Sequence, residues 1–124
     1  MTVKLGSNPK SFKKEITVVG IDGKTDTVTF ELTYRNPEQF AALMDARAAA
    51  EADMQTPPDR KNVDIVRDGA KRQALNVLAI ATGWDLVDEF SLDNLIQLEY
   101  DFPGTLLAVQ SVYQSAVLEA RVKN

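Results

Sequence analysis

Apolar and polar residues alternate over two stretches near the N-terminus of the chain. The first has Phe12, Ile16 and Val18 at even-numbered positions, and the second continues the alternation at Val28, Phe30, Leu32 and Tyr34. A period of two is typical of strands that bury one face. Asp22-Gly23 lies between the two stretches and is a strong turn signal. The pattern predicts a β-hairpin over residues 12–35.

The length of the turn decides which residues of the hairpin face each other. A two-residue loop at Asp22-Gly23 would set each apolar even-numbered residue opposite a polar odd-numbered one, and so would split the core face. A three-residue loop over residues 21–23, with a left-handed glycine at its end, instead pairs Ile16 with Val28 and Val18 with Asp26. We predict the three-residue loop because it keeps the apolar residues on one face.

A helix start follows the hairpin at Asn36-Pro37-Glu38-Gln39. This order supplies a side-chain cap, a proline for the first helical position and a capping-box partner three residues after the cap. The helix should run to about Met54 and stop before Pro57-Pro58. We expect Phe40, Leu43, Met44 and Arg47 to Ala50 on or near its inner face.

Three further helices are predicted in the second half of the chain. A central helix has helical spacing at Val66, Ala70, Ala74, Val77, Leu78 and Ala81, with Gly83 as its left-handed C-cap residue. Ser91 caps a short helix through about Tyr100, and Pro103 opens a last helix. That last helix has a stripe at Leu106, Val109, Tyr113, Val117 and Ala120. The predicted fold is α+β, an N-terminal antiparallel hairpin followed by about four helices over residues 36–124.

Composition narrows the class of protein. A chain of 124 residues with 44% hydrophobic residues fits one domain over residues 1–124. Its net charge of -4 argues against nucleic acid and anionic membranes as partners. The longest strongly apolar run, residues 74–81, is too short to span a bilayer.

The N-terminus and the cysteine count bear on location. Residues 1–11 carry lysines, no acidic residue, and several residues that break regular structure, which indicates a mobile arm. This arm lacks the apolar core of a secretory signal, and the chain has no cysteine for disulfides. We therefore expect a cytosolic protein.

Residue types and spacing also limit the chemistry. The chain has no histidine and no cysteine, which excludes a Ser-His-Asp triad, a thiol nucleophile and an imidazole-ligated metal. Gly23-Lys24-Thr25 lacks the earlier glycine of a phosphate-binding loop and precedes a strand rather than a helix. The acids between Asp85 and Asp93 do not have the spacing of a calcium loop. We expect no catalytic, cofactor-binding or metal-binding residues.

Residues 83–104 combine six carboxylates, no lysine or arginine, and several aromatic residues. Trp84 follows a predicted helix end, so it fits a core plug at a corner between helices. Tryptophan is also over-represented as an anchor in partner-binding surfaces. The same two readings stay open for Phe90, Tyr100 and Phe102.

The order of motifs in the C-terminal third resembles the tail assembly chaperones of tailed bacteriophages and prophages. The resemblance is carried by Gly83-Trp84, an acidic stretch, Phe90-Ser91, Asn94-Leu95, Phe102-Pro103-Gly104, and Tyr113 before a terminal Arg121-Val122-Lys123-Asn124. The strand residues Phe30-Glu31-Leu32 and Tyr34 are also similar to that family. The resemblance implies a non-catalytic protein of the bacterial host cytoplasm that binds the tape-measure protein, keeps it soluble and is absent from the mature virion.

This resemblance and the acidic, aromatic composition together predict a contact surface for the tape-measure protein. Its expected residues are Trp84, Leu86, Asp88, Glu89, Phe90 and Phe102. Contact with the major tail tube protein and a homo-oligomer are left open. The alternatives are a structural virion protein, such as a tail-terminator or head-tail joining ring subunit, and a small carboxylate-dependent enzyme.

Overall fold

The computed structural model of the chain describes residues 2–52 and 57–119, which form three strands and four helices. In chain order these are β1 (Ser11–Val19), β2 (Thr25–Thr33), α1 (Pro37–Ala52), α2 (Asn62–Leu78), β3 (Ala81–Trp84), α3 (Leu92–Asp101) and α4 (Thr105–Leu118). The predicted α+β class, with a hairpin followed by four helices, is confirmed. Within the described ranges, no helix is both long enough and apolar enough to cross a membrane.

The hairpin has the predicted three-residue loop and register. β1 and β2 are antiparallel, with Ile16 opposite Val28 and Val18 opposite Asp26. Gly23 has a φ of 85°, the left-handed conformation that this loop requires. Even-numbered residues therefore share one face, where Ile16, Val18, Val28, Phe30 and Leu32 are buried. The strand pairing already begins at Ser11, whereas the mobility of residues 1–11 stays a prediction.

One element was missed from the sequence. The central helix was predicted to include Ala81 and to be capped by Gly83, but α2 ends at Leu78 with Ala79 as its C-cap. Residues 81–84 instead form β3, which is antiparallel to β2 and completes a sheet of order β1-β2-β3. Gly83 lies opposite Glu31 in this pairing and is not a helix cap. The second edge of β2 needs hydrogen-bond partners, and this tertiary demand overrides the local helical spacing.

The start of α1 is confirmed, but its inner face is shorter than predicted. The Gln39 amide donates to Asn36 Oδ1 at 2.8 Å, and the Asn36 amide donates to Gln39 Oε1 at 2.9 Å, which is a capping box. Phe40 is buried, whereas residues 48–50 are exposed. Leu43 and Met44 are half-buried and pack against the core. The predicted helix end near Met54 lies outside the described residues.

The first half of α2 also differs from its prediction. Val66 was placed on the inner face but is 58% exposed, and burial in this helix begins at Ala70. Ala70, Ala74 and Val77 keep the predicted spacing and are buried. The helix therefore projects its N-terminal turns beyond the helical layer that covers the sheet.

Tyr113 lies at the centre of the core and is 1% exposed. Its hydroxyl donates to the Thr33 carbonyl oxygen at 2.8 Å and accepts from Arg35 Nη1 at 3.1 Å. Its ring stacks on Phe12 with centroids 6.1 Å apart and lies 5.9 Å from the ring of Phe40. The residue thus joins α4 to β2, β1 and α1. The predicted α4 stripe is confirmed at Leu106, Val109, Tyr113 and Val117, and Ala120 lies outside the described residues.

The connection between α3 and α4 is made by a left-handed glycine. α3 begins as predicted, with Ser91 Oγ accepting the Asn94 amide at 3.2 Å. α4 was predicted to open at Pro103 but begins at Thr105, because Gly104 has a φ of 93° and is the N-cap residue. A helical conformation cannot pass through such a residue, so the two helices meet at a sharp corner.

We expect Gly104→Ala to lower the free energy of unfolding by about 1–2 kcal/mol, since an L-residue is strained in the left-handed region. A Cβ atom at this position would meet no atom within 4 Å, so a steric clash does not contribute. Gly83→Ala is the matched control, because it also opens into free space and has no left-handed φ. Urea unfolding measures both variants. Equal losses for the two would contradict the backbone explanation.

Candidate partner-binding site

Trp84 ends β3 and is half-buried. Its ring meets Phe30 and Phe90 edge to face, with centroids 5.9 and 5.1 Å apart. Its Nε1 donates to the Asp88 carbonyl oxygen at 2.8 Å. Trp84 therefore combines the two readings of the sequence, because one part packs on the core and another part reaches the surface.

The loop between β3 and α3 is fixed at both ends. Asp85 bonds β2 twice: its amide donates to the Thr29 carbonyl oxygen at 3.1 Å, and its Oδ1 accepts the Thr29 amide at 2.9 Å. At the other end, Asn94 Nδ2 donates to the Glu89 carbonyl oxygen at 2.7 Å. These bonds hold the loop around Trp84, so the aromatic surface is set before any partner arrives.

A cleft of about 360 Å³ opens between the hairpin, this loop and α3. Its apolar lining includes Trp84, Leu86 and Phe102, and its acidic lining includes Asp26, Asp88 and Asp101. Among the residues that the structure describes, no lysine or arginine lines it. We call this feature the acidic cleft. It brings carboxylates from β2, the loop and α3 around an apolar floor.

The structure brings together four of the six predicted contact residues. Trp84, Leu86, Asp88 and Phe102 line the acidic cleft. Phe90 supports Trp84 without lining the cleft, and Glu89 is exposed beside it in sequence. The role of all six in partner contact stays a prediction.

Sequence reasoning missed two acidic residues of the cleft, Asp26 and Asp101. A signal for Asp26 was present, because the predicted register already placed it opposite Val18 on the apolar face of the hairpin. That the hairpin end would meet α3 depends on tertiary packing, which no local pattern in the sequence indicates.

The six carboxylates of residues 83–104 divide into two groups. Three bind within the fold: Asp85 bonds β2, Glu99 accepts backbone amides of α4, and Asp101 accepts Gln97 Nε2 at 2.9 Å. The side chains of the other three accept no hydrogen bond from the part of the chain that the structure describes. These are Asp88, Glu89 and Asp93, and they are available to an external cation.

The chemistry of the site suits binding of a partner segment. Across residues 2–52 and 57–119, no group of three acidic side chains converges as metal ligands would. Carboxylates beside exposed apolar surface instead suit a segment that carries both apolar and basic side chains. The acidic cleft can therefore hold an amphipathic partner segment by apolar contact and charge attraction.

Glu99 is a structural residue of this region, and its substitution is expected to lower stability. Its carboxylate accepts the Gly104 amide at 2.8 Å and the Leu106 amide at 3.1 Å, which caps the N-terminus of α4. We expect Glu99→Ala to lower the free energy of unfolding by about 1–2 kcal/mol. Asp88→Ala removes no side-chain bond and should change it by less than about 0.5 kcal/mol. Losses of the same size in urea unfolding would refute the capping role.

Comparison with known proteins identifies the family. A family model described as phage tail assembly chaperone matches residues 1–124, the whole chain. Comparison with the curated proteins gives no match, and neither does comparison with the solved structures. The matched range contains the hairpin, β3 and every residue of the acidic cleft. The chain therefore belongs to the phage tail assembly chaperones.

Proposed function

We propose that the protein binds the tape-measure protein during phage tail assembly and keeps it soluble, with the acidic cleft as part of the contact. Its family gives it a role in tail assembly. One observation carries the finer proposal: Trp84, Leu86 and Phe102 line a cleft to which the described residues contribute three carboxylates and no cation. Such a cleft offers apolar contact area and negative charge to a partner.

The physical argument concerns what a long, aggregation-prone helical chain needs from a chaperone. The apolar stripe of that partner chain must be covered. An aromatic surface that is already formed on the chaperone can cover the stripe without exposing the chaperone's own core. Carboxylates at the rim attract lysine and arginine side chains that flank such a stripe. On unbound copies of the chain, the same carboxylates cause electrostatic repulsion between the copies, which limits non-specific association.

The size of the cleft indicates how the partner would bind. A volume of about 360 Å³ admits anchoring side chains rather than a whole helix. The helix would lie across the opening, with apolar side chains inserted beside Trp84 and basic ones near Asp88. In this proposal the protein acts without catalysis in the host cytoplasm and leaves before the virion is complete.

Co-expression with the tape-measure protein tests this function. The tag is placed on this chain alone, and the eluate is separated by size. We expect both proteins to elute together as one soluble species, while an unrelated tagged phage protein should recover no tape-measure protein. No complex, together with this chain in purified particles, would contradict the proposal and favour a structural virion subunit.

A further inference from the structure

A second groove, of about 510 Å³, lies between α1 and α2. Leu43, Ala46 and Ala50 contribute to it from α1, and Leu75 and Ala79 come from α2 and its C-cap. The groove is largely apolar, and Leu75 is 49% exposed. None of its lining residues belongs to the acidic cleft.

The groove lies open because α1 and α2 pack on α4 rather than on each other. Their facing sides are left open, and Ala50, one of the exposed residues that the sequence places on or near an inner face, lines this opening. Exposed apolar surface between two helices is a common docking place for a third helix.

The charges around the groove indicate the character of that third helix. Arg47, Lys71 and Arg72 line the groove together with Glu51 and Asp68. Asp68 is already held by Arg60 in an ion pair, so cations exceed free carboxylates. The groove is thus basic, the opposite of the acidic cleft.

Arg47 is a half-buried cation of the groove. It forms no ion pair with any residue in the described ranges. Burial lowers the pKa of its guanidinium, and the neighbouring Glu51 carboxylate partly opposes this effect. A charge held beside apolar surface gains most from a partner that brings a carboxylate to it.

We propose that the groove between α1 and α2 binds an acidic amphipathic helix of a partner protein. The apolar face of that helix would cover Leu43 and Leu75, and its carboxylates would reach Arg47, Lys71 and Arg72. This site is separate from the acidic cleft and prefers the opposite charge. The protein could therefore hold two chemically different segments at the same time. A nucleic-acid backbone fits less well, because it would leave the apolar floor uncovered.

The test uses two synthetic helical peptides of about 18 residues, roughly five turns, with leucines at helical spacing. One carries glutamate on its polar flanks, and the other carries lysine at the same positions. Each is titrated into the full ¹⁵N-labelled chain and followed by amide chemical shifts. We expect the glutamate peptide to shift amides of α1 and α2, with an affinity at least about tenfold higher than that of the lysine peptide.

Variants locate the binding. Arg47→Glu with Arg72→Glu should lower the affinity for the glutamate peptide by about tenfold or more. Leu75→Glu, which alters a half-exposed side chain, should lower this affinity to a similar extent. Lys10→Glu with Lys13→Glu makes the same change in net charge at exposed positions elsewhere and should leave affinity unchanged. Equal affinity for both peptides, shifts confined to the acidic cleft, or a groove covered by a second copy of the chain in solution would each overturn the proposal.

Discussion

Tyr113→Ala is expected to lower the free energy of unfolding by about 3–5 kcal/mol, the range for large core truncations. The ring fills the space beside Phe12 and Phe40, so its removal leaves a cavity. The Thr33 carbonyl oxygen and the Arg35 guanidinium also lose a hydrogen bond. Domains of this size are stable by about 5–15 kcal/mol, so the variant loses at least about a fifth of that free energy and, at the low end of the range, all of it.

Tyr113→Phe separates the two causes. It keeps the ring but leaves the Thr33 carbonyl without its donor, which should cost about 1–2 kcal/mol. Urea unfolding of the three proteins, followed by far-UV circular dichroism, gives the comparison. A loss below 1 kcal/mol for Tyr113→Ala, or equal losses for the two variants, would show that Tyr113 does not join the layers as described.

Asp88→Lys with Glu89→Lys is expected to lower the affinity for the tape-measure protein by about 10- to 100-fold. Both residues are exposed, and neither side chain accepts a hydrogen bond from the described residues, so the fold should be preserved. The change places one cation in the lining of the acidic cleft and a second at the next residue in sequence, and both repel a basic segment. Isothermal titration calorimetry measures the loss, and circular dichroism checks the fold.

Glu15→Lys with Asp45→Lys is the matched control for this charge reversal. It changes net charge by the same amount at exposed positions that do not line the acidic cleft. We expect near wild-type affinity from it. The difference in affinity between the two double variants should shrink in 1 M salt, where the Debye screening length is only about 3 Å.

Adding Phe90→Ala to Asp88→Lys/Glu89→Lys removes the aromatic ring that supports Trp84. Unchanged affinity in that folded triple variant would exclude residues 84–102 from the contact.

Elements defined by local chemistry could be predicted from the sequence. The hairpin register follows from the position of Gly23 and the alternation on either side of it. The starts of α1 and α3 follow from Asn36 and Ser91, which bond amides three residues later. Such bonds involve neighbours in sequence, so residue type and spacing are enough to place them.

Elements that depend on distant neighbours could not be predicted. The apolar run at residues 77–81 is compatible with either a helix or a strand. Pairing with the free edge of β2 is what makes Ala81 the start of a strand. The exposure of residues 48–50 depends on which elements pack against the end of α1, and α2 hardly contacts α1. Trp84 and Phe102 were predicted as contact residues, but their meeting with Asp26 required the packing of the hairpin against α3.

The proposal that the acidic cleft holds the tape-measure protein is tested most directly by the solubility of that protein in cells. The tape-measure protein is expressed alone, with the wild-type chain, with Asp88→Lys/Glu89→Lys, or with Glu15→Lys/Asp45→Lys. The fraction of tape-measure protein in the supernatant is measured after centrifugation. We predict a soluble tape-measure protein with the wild-type chain and with Glu15→Lys/Asp45→Lys. We predict an aggregated one when it is alone or with Asp88→Lys/Glu89→Lys. Equal solubility in all four cases would contradict the account.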